Sequence, residues 1–453
     1  MRLTSEQVAQ IVDGRCLAAA TAPEITGLST DSRTLQSGDL FVPLKGPNYD
    51  GHDYLRQAVE HGASACLSEE VVGGLPVPVI QVKDALLALG ELAHAIRAEF
   101  SGPVVAITGT TGKTSTKEML ASIFAQANDG LKTEGNYNNL IGLPLTLARL
   151  SEEHHWMVLE LGMSQHGEIE RLTEIAQPGI ALITNVGAGH LAGVGNIDGV
   201  AQAKGELFAG LAPGATAVIN LDDPLIAALP LPTGVTRLEF SVTRDATVRA
   251  TDIRTDQQVR FVLHIAEQQI AVELPLPGRH QVYNALAAAA AAHAAGCTLK
   301  QIAAGLAVVK MAAGRLEVRS LTNGATLLDD SYNANPQSMR AALNVLGDWP
   351  CQGAKIAVLG DMLELGAVSE ECHEELGRLA AQRADQVLCF GDWAASVVKG
   401  VVEQGGHGRV CSGHEEMIDW VERQIREDDC VLVKGSRGMR MEKVVHALLA
   451  QAV

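Results

Sequence analysis

The chain has 453 residues, enough for about three domains, and its 47% apolar and 19% charged residues suit a folded globular protein rather than a disordered one. A formal net charge of −18 argues against non-specific nucleic-acid binding, which rests on neutralising phosphates, while small anionic substrates need only a local cluster of Lys, Arg and backbone N–H groups. No apolar run is long enough to span a bilayer.

The N-terminal stretch MRLTSEQVAQIVDG reads as an amphipathic helix with Thr4 and Gln7 at capping-box spacing, not as a signal peptide. A cytoplasmic protein is expected, with no membrane insertion and no nucleic-acid partner. Eight cysteines are scattered without a C-x-x-C pair and read as reduced, mostly buried thiols.

Between residues 25 and 82 the segments ITGLSTDSR, DLFVPLKG, YLRQAVEHG, ASACLSE and PVIQV alternate strand and helix patterns in a small α/β unit. Its loops gather polar and basic groups: Ser32, Arg33, Lys45, Gly46, Asn48 and His52. Such residues serve equally as ordinary turns. An Ala/Leu-rich helix over 84–100 places the first boundary near residue 83.

The stretch PVVAITGTTGKTSTKEMLASIF at 103–124 is the strongest signal in the chain. The β-branched run 104–108 predicts a buried parallel strand, and Met119, Leu120 and Ile123 predict a helix over 116–124. Between them lie Gly109, Thr110, Thr111, Gly112, Lys113, Thr114 and Ser115. Glycines let backbone N–H groups approach phosphate oxygens, the helix end adds positive charge, Lys113 reaches the terminal phosphates, and a hydroxyl can ligate Mg²⁺. The loop is a short variant, because Ile107 stands where the longer phosphate-loop pattern needs glycine. ATP binding is expected.

Further polar residues follow apolar strands, where ligands bind in α/β sheets. HWMVLEL ends in Glu160, and IALITNV runs into Gly187-Ala188-Gly189-His190. Thr114, Glu160 and His190 on one rim could hold a cation on the γ-phosphate. A single helix is expected over 194–208, carrying Lys204 toward that rim, with a solvated surface lysine as the alternative. Alternating Val259, Phe261, Leu263 and Ile265, then Ile270, Val272 and Leu274, predict a hairpin turning at Glu267-Gln268. RHQVYN, ending in Asn284, opens an alanine-dense helix.

From about residue 310 a third unit repeats the α/β alternation, with strands at 317–321, 325–330, 355–360, 385–391 and 430–435. Its strand-end loops are DDSYNANP (329–336), GDMLELG (360–366) and KGSRG (434–438). The acidic pair Asp329-Asp330 lies far beyond the phosphate loop and suits a domain that closes over the nucleotide.

Taken in order, these marks resemble the Mur ligases, ATP-dependent amide-forming enzymes of peptidoglycan precursor synthesis. They are TGTTGKTS at 108–115, Glu160, His190, Lys204, Asn284, GRLE at 314–317, and Asp330. The resemblance covers the whole length and implies a three-domain α/β protein: a UDP-precursor-binding domain (1–83), a central phosphate-loop ATPase with a mostly parallel sheet (84–310), and a C-terminal Rossmann-like domain (311–453). The motifs GNYNNLIGLP (135–144), LDDSYNANP, GDMLELG and VKGSR resemble the branch that joins D-alanyl-D-alanine to UDP-N-acetylmuramoyl-tripeptide.

On that resemblance, Gly109 to Ser115, Asn284, Arg315, Asp330, Asn333 and Asn335 bind ATP, with Lys113, His190 and Lys204 catalytic. Thr114, Glu160, His190 and Lys204 serve the metal. Ser32, Arg33, Lys45, Gly46, Asn48, His52, Asn138 and Asn139 hold the UDP-precursor, and Lys434, Ser436 and Arg437 the dipeptide. A carbamate on Lys204 is implied as well, although Glu206 could instead neutralise an unmodified lysine. A monomer is expected. The other readings are a folylpolyglutamate synthase-like ligase, disfavoured by the UDP-type first unit, and a phosphate-loop regulatory ATPase, disfavoured by two further substrate-like domains and the lack of N-K-x-D.

Overall fold

The computed structural model describes residues 2–17, 23–189 and 191–450. The described residues form three sheets in succession along the chain, each wound with helices. This is the three-domain α/β architecture with mostly parallel sheets that the alternating patterns predict.

The first sheet has five strands in the order 15–17, 79–81, 65–68, 39–41 and 27–29, parallel except for the edge strand Arg15–Leu17. That edge strand has no clear alternation and was not predicted. Helix Ser5–Ile11 carries the expected capping box, Thr4 with Gln7. Helix Ala85–Ala98, capped by the Asp84 carboxylate, buries Ala85, Ala88, Leu89 and Leu92 in the first domain's core and Ala93 in the central one. It therefore belongs to both cores.

The central sheet has nine strands. Strand Val104–Thr108 lies in its interior, parallel to Met157–Glu160 on one side and Ile180–Ile183 on the other. Its continuous apolar run has a physical reason: Val105 and Ile107 face one core while Val104 and Ala106 face another. One face is covered by helices Lys113–Phe124, His280–Ala294 and Leu299–Ala307. The alanine tract 287–292 is essentially inaccessible, and its small side chains let that helix lie close to the sheet. Strands Val259–Ile265 and Gln268–Leu274 pair antiparallel, as the alternation predicts, although the turn falls at Ala266-Glu267, one residue earlier than expected, and with Val248–Thr255 they extend the sheet at its edge.

Two element predictions are corrected. The helix after the phosphate loop begins at Lys113, not at residue 116, because Gly112 takes the left-handed conformation that starts it (φ 79°). The stretch 194–208 is not one helix. Leu191–Val194 and Ile197–Ala209 are separated at Gly195, and Asn196 caps the second by accepting from the Gly199 N–H. Asparagine favours that cap over a helix interior.

The third sheet has six strands, parallel except for its edge strand Glu317–Ser320. The short strand Gly408–Val410 at the far edge was not anticipated. All eight cysteines are free thiols, four of them buried and four partly so.

Candidate active site

The phosphate loop is held open by residues of the neighbouring strand end. Gly109 has φ 149°, and a Cβ there would fall 1.9 Å from Thr184 Oγ1. Asn185 accepts from the Thr111 N–H through Oδ1 (2.9 Å) and donates from Nδ2 to Thr111 O and Oγ1. Thr184 Oγ1 donates to Thr111 O at 2.6 Å. Thr184 and Asn185 are absent from the predicted site, although they end the quoted strand IALITNV. Their signal was position, the same that selected Glu160.

Lys113 folds back on the loop, donating to Gly109 O at 2.6 Å and Thr110 O at 3.4 Å. Burial holds its pKa below the usual lysine value, opposed by the Glu160 carboxylate and reinforced by Arg315. Thr114 Oγ1 donates to Glu160 Oε2 at 3.0 Å, and Asn138 Nδ2 donates to Oε1 at 2.9 Å. Glu160 is 3% exposed, yet each carboxylate oxygen has a donor. His190 lies outside the described residues. Among the described residues no group of three His, Cys, Asp or Glu side chains could hold a metal. Thr114 and Glu160 supply two hard oxygen ligands side by side.

Lys204 is not a solvated surface lysine: it is 2% exposed. Burial first, and the charge of Lys113 second, hold its pKa well below the ordinary value. Glu206 does not neutralise it. That carboxylate accepts from the Gly167 and Glu170 N–H groups at the start of helix Glu168–Ala176. Lys204 has no hydrogen-bond or ion-pair partner among the described residues.

A cleft of about 1080 Å³ opens between the central and third domains. The phosphate loop, Asn138, Asn139, Glu160, Asn284, Arg315, Asp330, Asn333, Asn335, Lys434 and Arg437 all line it. Arg315 follows Gly314 (φ 69°) and donates to Thr114 Oγ1 at 3.3 Å across the domain junction. Asn284 packs beneath Gly112, where a Cβ would come 2.3 Å from Asn284 Oδ1. His280, not predicted, also lines the cleft, its pKa lowered to about 4 by burial and by Lys434. Gln337 Nε2 donates to Val186 O at 3.2 Å, a second tie between these domains.

Several predicted residues are committed to local structure. Lys434 is buried and donates to Asp330 Oδ2 (2.6 Å) and Asn333 O (2.8 Å), so its ammonium is paired rather than presented to a dipeptide. The other Asp330 oxygen accepts from the Leu316 N–H, which ties residues 314–316, the hinge segment between the central and third domains, to this pair. Ser436 Oγ donates to Ala334 O and accepts from the Leu363 N–H, joining three loops. Asn335 Oδ1 caps helix Pro336–Asp348, and Asn139 Oδ1 accepts from the Ile141 and Gly142 N–H groups. Arg437 is largely exposed, with Glu442 3.4 Å away.

The first-domain residues lie apart from this cleft. Arg33 pairs with both Asp31 oxygens (2.9 and 2.7 Å), an arrangement that lowers the Asp31 pKa to about 2. Lys45 meets Glu69 at 3.1 Å, next to Gly46 and Asn48, and Ser32 donates to Gln57. His52 is partly buried with both ring nitrogens engaged: Nδ1 bonds Asp50 at 2.7 Å and Nε2 accepts from the Glu69 N–H. It braces the loop rather than offering a free donor.

A short phosphate loop with a hydroxyl–carboxylate pair, faced across an interdomain cleft by an arginine of a second α/β domain, defines an ATP-dependent ligase. The family's catalytic domain matches residues 24–97, the Mur ligase middle domain 107–292 and the glutamate ligase domain 314–437, and the chain belongs to the Mur ligase family. It is 41% identical to the UDP-N-acetylmuramoyl-tripeptide--D-alanyl-D-alanine ligase of Escherichia coli K12, over 98% of each chain. The crystal structure of MurF from Acinetobacter baumannii superposes with a TM-score of 0.92 at 34% identity, covering 99% of both chains. MurF ligase from Thermotoga maritima in complex with ADP gives 0.84 at 29% identity, covering 94% of this chain and 98% of that one.

Proposed function

We propose that this chain joins D-alanyl-D-alanine to UDP-N-acetylmuramoyl-tripeptide with hydrolysis of ATP to ADP and phosphate, completing the pentapeptide precursor of peptidoglycan. The supporting observation is the Thr114–Glu160 pair at 3.0 Å beside Lys113, with Arg315 reaching it from the hinge, in a chain similar over its full length to ligases of that name.

A carboxylate is a poor acylating agent. Transfer of the γ-phosphoryl group onto the tripeptide's terminal carboxylate gives an acyl phosphate. The dipeptide amine attacks it, forming the C–N bond as the C–O bond to phosphate breaks. Phosphoryl transfer asks the protein for positioning and charge neutralisation. Lys113, released from its loop carbonyls, turns to the β- and γ-phosphates, while the backbone N–H groups of 112–114 at the helix start cradle them; those of Thr110 and Thr111 are committed to Asn185. Asn284 and Arg315 position the nucleotide, and Asp330 with Lys434 fixes the hinge relative to the third-domain loops. Asn333 and Asn335 shape the wall of that cleft. Closure of the third domain excludes water from the acyl phosphate.

Hydroxyl and carboxylate oxygens suit Mg²⁺, and Thr114 and Glu160, with His190, are the residues that would hold it. Mg²⁺ supplies charge neutralisation on the phosphate oxygens. Lys204, buried and favoured as a neutral amine, is the residue placed to carry a carbamate. The first domain, bounded near residue 83, binds the UDP end through Ser32, Arg33, Lys45, Gly46, Asn48 and the loop that His52 braces, with Asn138 and Asn139 nearer the peptide. The third begins near residue 311 and receives the dipeptide, whose carboxylate meets Arg437. No helix among the described residues is long and apolar enough to cross a membrane, and we place the enzyme in the cytoplasm as a monomer.

The test is phosphate release with ATP, UDP-muramoyl-tripeptide and D-Ala-D-Ala, omitting each in turn. Release should require all three. Strong ATP turnover with neither peptide substrate would point to a regulatory ATPase, and activity with a folate in place of the precursor would point to a folate ligase.

A further inference from the structure

Tyr332 stands between strand Thr326–Asp330 and helix Pro336–Asp348, and nothing in the mechanism above uses it. Its ring lies beneath two guanidinium groups: Arg315 Cζ is 4.1 Å from the ring centroid and Arg437 Cζ is 5.5 Å from it. Both fall within the ~6 Å over which a cation is drawn to an aromatic face. The two arginines come from far apart in the chain, one from the hinge and the other from the loop after strand Cys430–Lys434.

Backbone bonds fix this arrangement on both sides of the ring. The Tyr332 N–H donates to Gly314 O at 3.1 Å, immediately before Arg315. Glycine suits position 314 because its φ of 69° is left-handed, and a Cβ would also crowd Tyr332 N at 3.1 Å. Beside Tyr332, Asn333 Oδ1 accepts from the Arg437 N–H at 3.2 Å. The ring is thus braced against the segments that carry both arginines. Arg315 also bonds Thr114 Oγ1 and Arg437 lies beside Glu442; the ring is the contact the two guanidinium groups share, and its negative quadrupole attracts each.

We infer that Tyr332 is a positioning residue that orients Arg315 toward the nucleotide and Arg437 toward the dipeptide together, so that one ring couples the two substrate sites. The inference rests on the function proposed above, which gives those arginines their ligands.

The full-length enzyme is assayed for KM of ATP and of D-Ala-D-Ala as wild type, Tyr332→Phe, Tyr332→Leu, Arg437→Ala and the Tyr332→Leu/Arg437→Ala double variant. Tyr332→Leu should raise both KM values, each by about fivefold, the scale of one lost cation–π contact. Tyr332→Phe, which keeps the ring, should stay within about twofold of wild type. In the Arg437→Ala background the leucine change should still raise the KM for ATP but leave that for the dipeptide where Arg437→Ala put it. A fall in kcat with both KM values unchanged would assign Tyr332 to packing alone and overturn the inference, as would equal impairment by Phe and Leu. If Arg437→Ala leaves the dipeptide KM unchanged, the role given to Arg437 fails, and with it the coupling. If Arg437→Ala raises that KM and Tyr332→Leu does not, the inference fails and the role of Arg437 stands. Should Tyr332→Leu not fold, Tyr332→Gln replaces it with the same expectation.

Discussion

Replacing Lys204 separates a carbamate from a simple buried cation. An ordinary lysine amine is only about 0.3% neutral at pH 8, and each unit by which its pKa falls raises that share about tenfold until it saturates. Lys204 is 2% exposed, and burial and the charge of Lys113 hold its pKa well below the ordinary lysine value, a shift toward the unprotonated amine that reacts with CO₂. The sign is definite. Between the lowered pKa and 10.5 the unfolded chain binds more protons, so the unmodified protein gains stability as pH rises through that window. Addition of CO₂ to the neutral amine, with loss of one proton, gives a carbamate, which replaces a positive charge near Lys113 with a negative one. Lys204→Ala should therefore lose activity by the order of 10²-fold, the scale for one preorganised group that stabilises a transition state, and short carboxylic acids should restore part of it. Lys204→Arg, which keeps a cation and cannot be carbamylated, should be as impaired and not rescued. The assay is phosphate release with all three substrates, paired with ¹³C NMR after exposure to labelled bicarbonate. A carbamate resonance should be present in wild type and absent in Lys204→Ala. Full activity of either variant without added acid would remove Lys204 from the mechanism.

Lys113→Ala should lower kcat by at least the order of 10²-fold while calorimetry finds UDP-precursor binding little changed, because the first sheet is built separately from the phosphate loop. Gly112→Ala should destabilise the protein by at least about 1–2 kcal/mol in urea denaturation, the cost of a side chain in the left-handed region. It should cost still more in activity, since a Cβ there would lie 2.3 Å from Asn284 Oδ1; a neutral effect would contradict the loop geometry. His280 titrates at about 4 instead of 6.5. As pH falls through 6.5 the unfolded chain takes up the proton first, and stability is lost between 6.5 and 4 by up to about 3 kcal/mol. His280→Asn should make that loss, measured by denaturation at pH 7 and 4.5, visibly smaller, and an unchanged loss would contradict the shift.

What was legible in the sequence shares a physical cause. A buried parallel strand must be apolar throughout, so the first polar residue at its end is conspicuous, and Glu160 stood out in that way. The same rule pointed to Thr184 and Asn185 and was not carried far enough, because His190 later in the same loop drew the assignment. The phosphate loop was legible because its glycines answer to local backbone geometry: Gly109 and Gly112 both have positive φ. Juxtapositions across domains left no such trace. Arg315 reaches Thr114 over 201 positions, and Lys434 reaches Asp330 over 104. A lysine 2% exposed must be paired or neutral, but periodicity cannot say which. Lys204 and Lys434 look alike in the sequence as strand-end or helix-face lysines near a rim. Folding gives Lys434 a carboxylate at 2.6 Å and gives Lys204 another lysine. Burial lowers both lysine pKa values, but at Lys434 the Asp330 carboxylate opposes the shift, while at Lys204 the charge of Lys113 adds to it and favours the neutral amine that a carbamate requires. That difference in chemistry arises from tertiary placement alone.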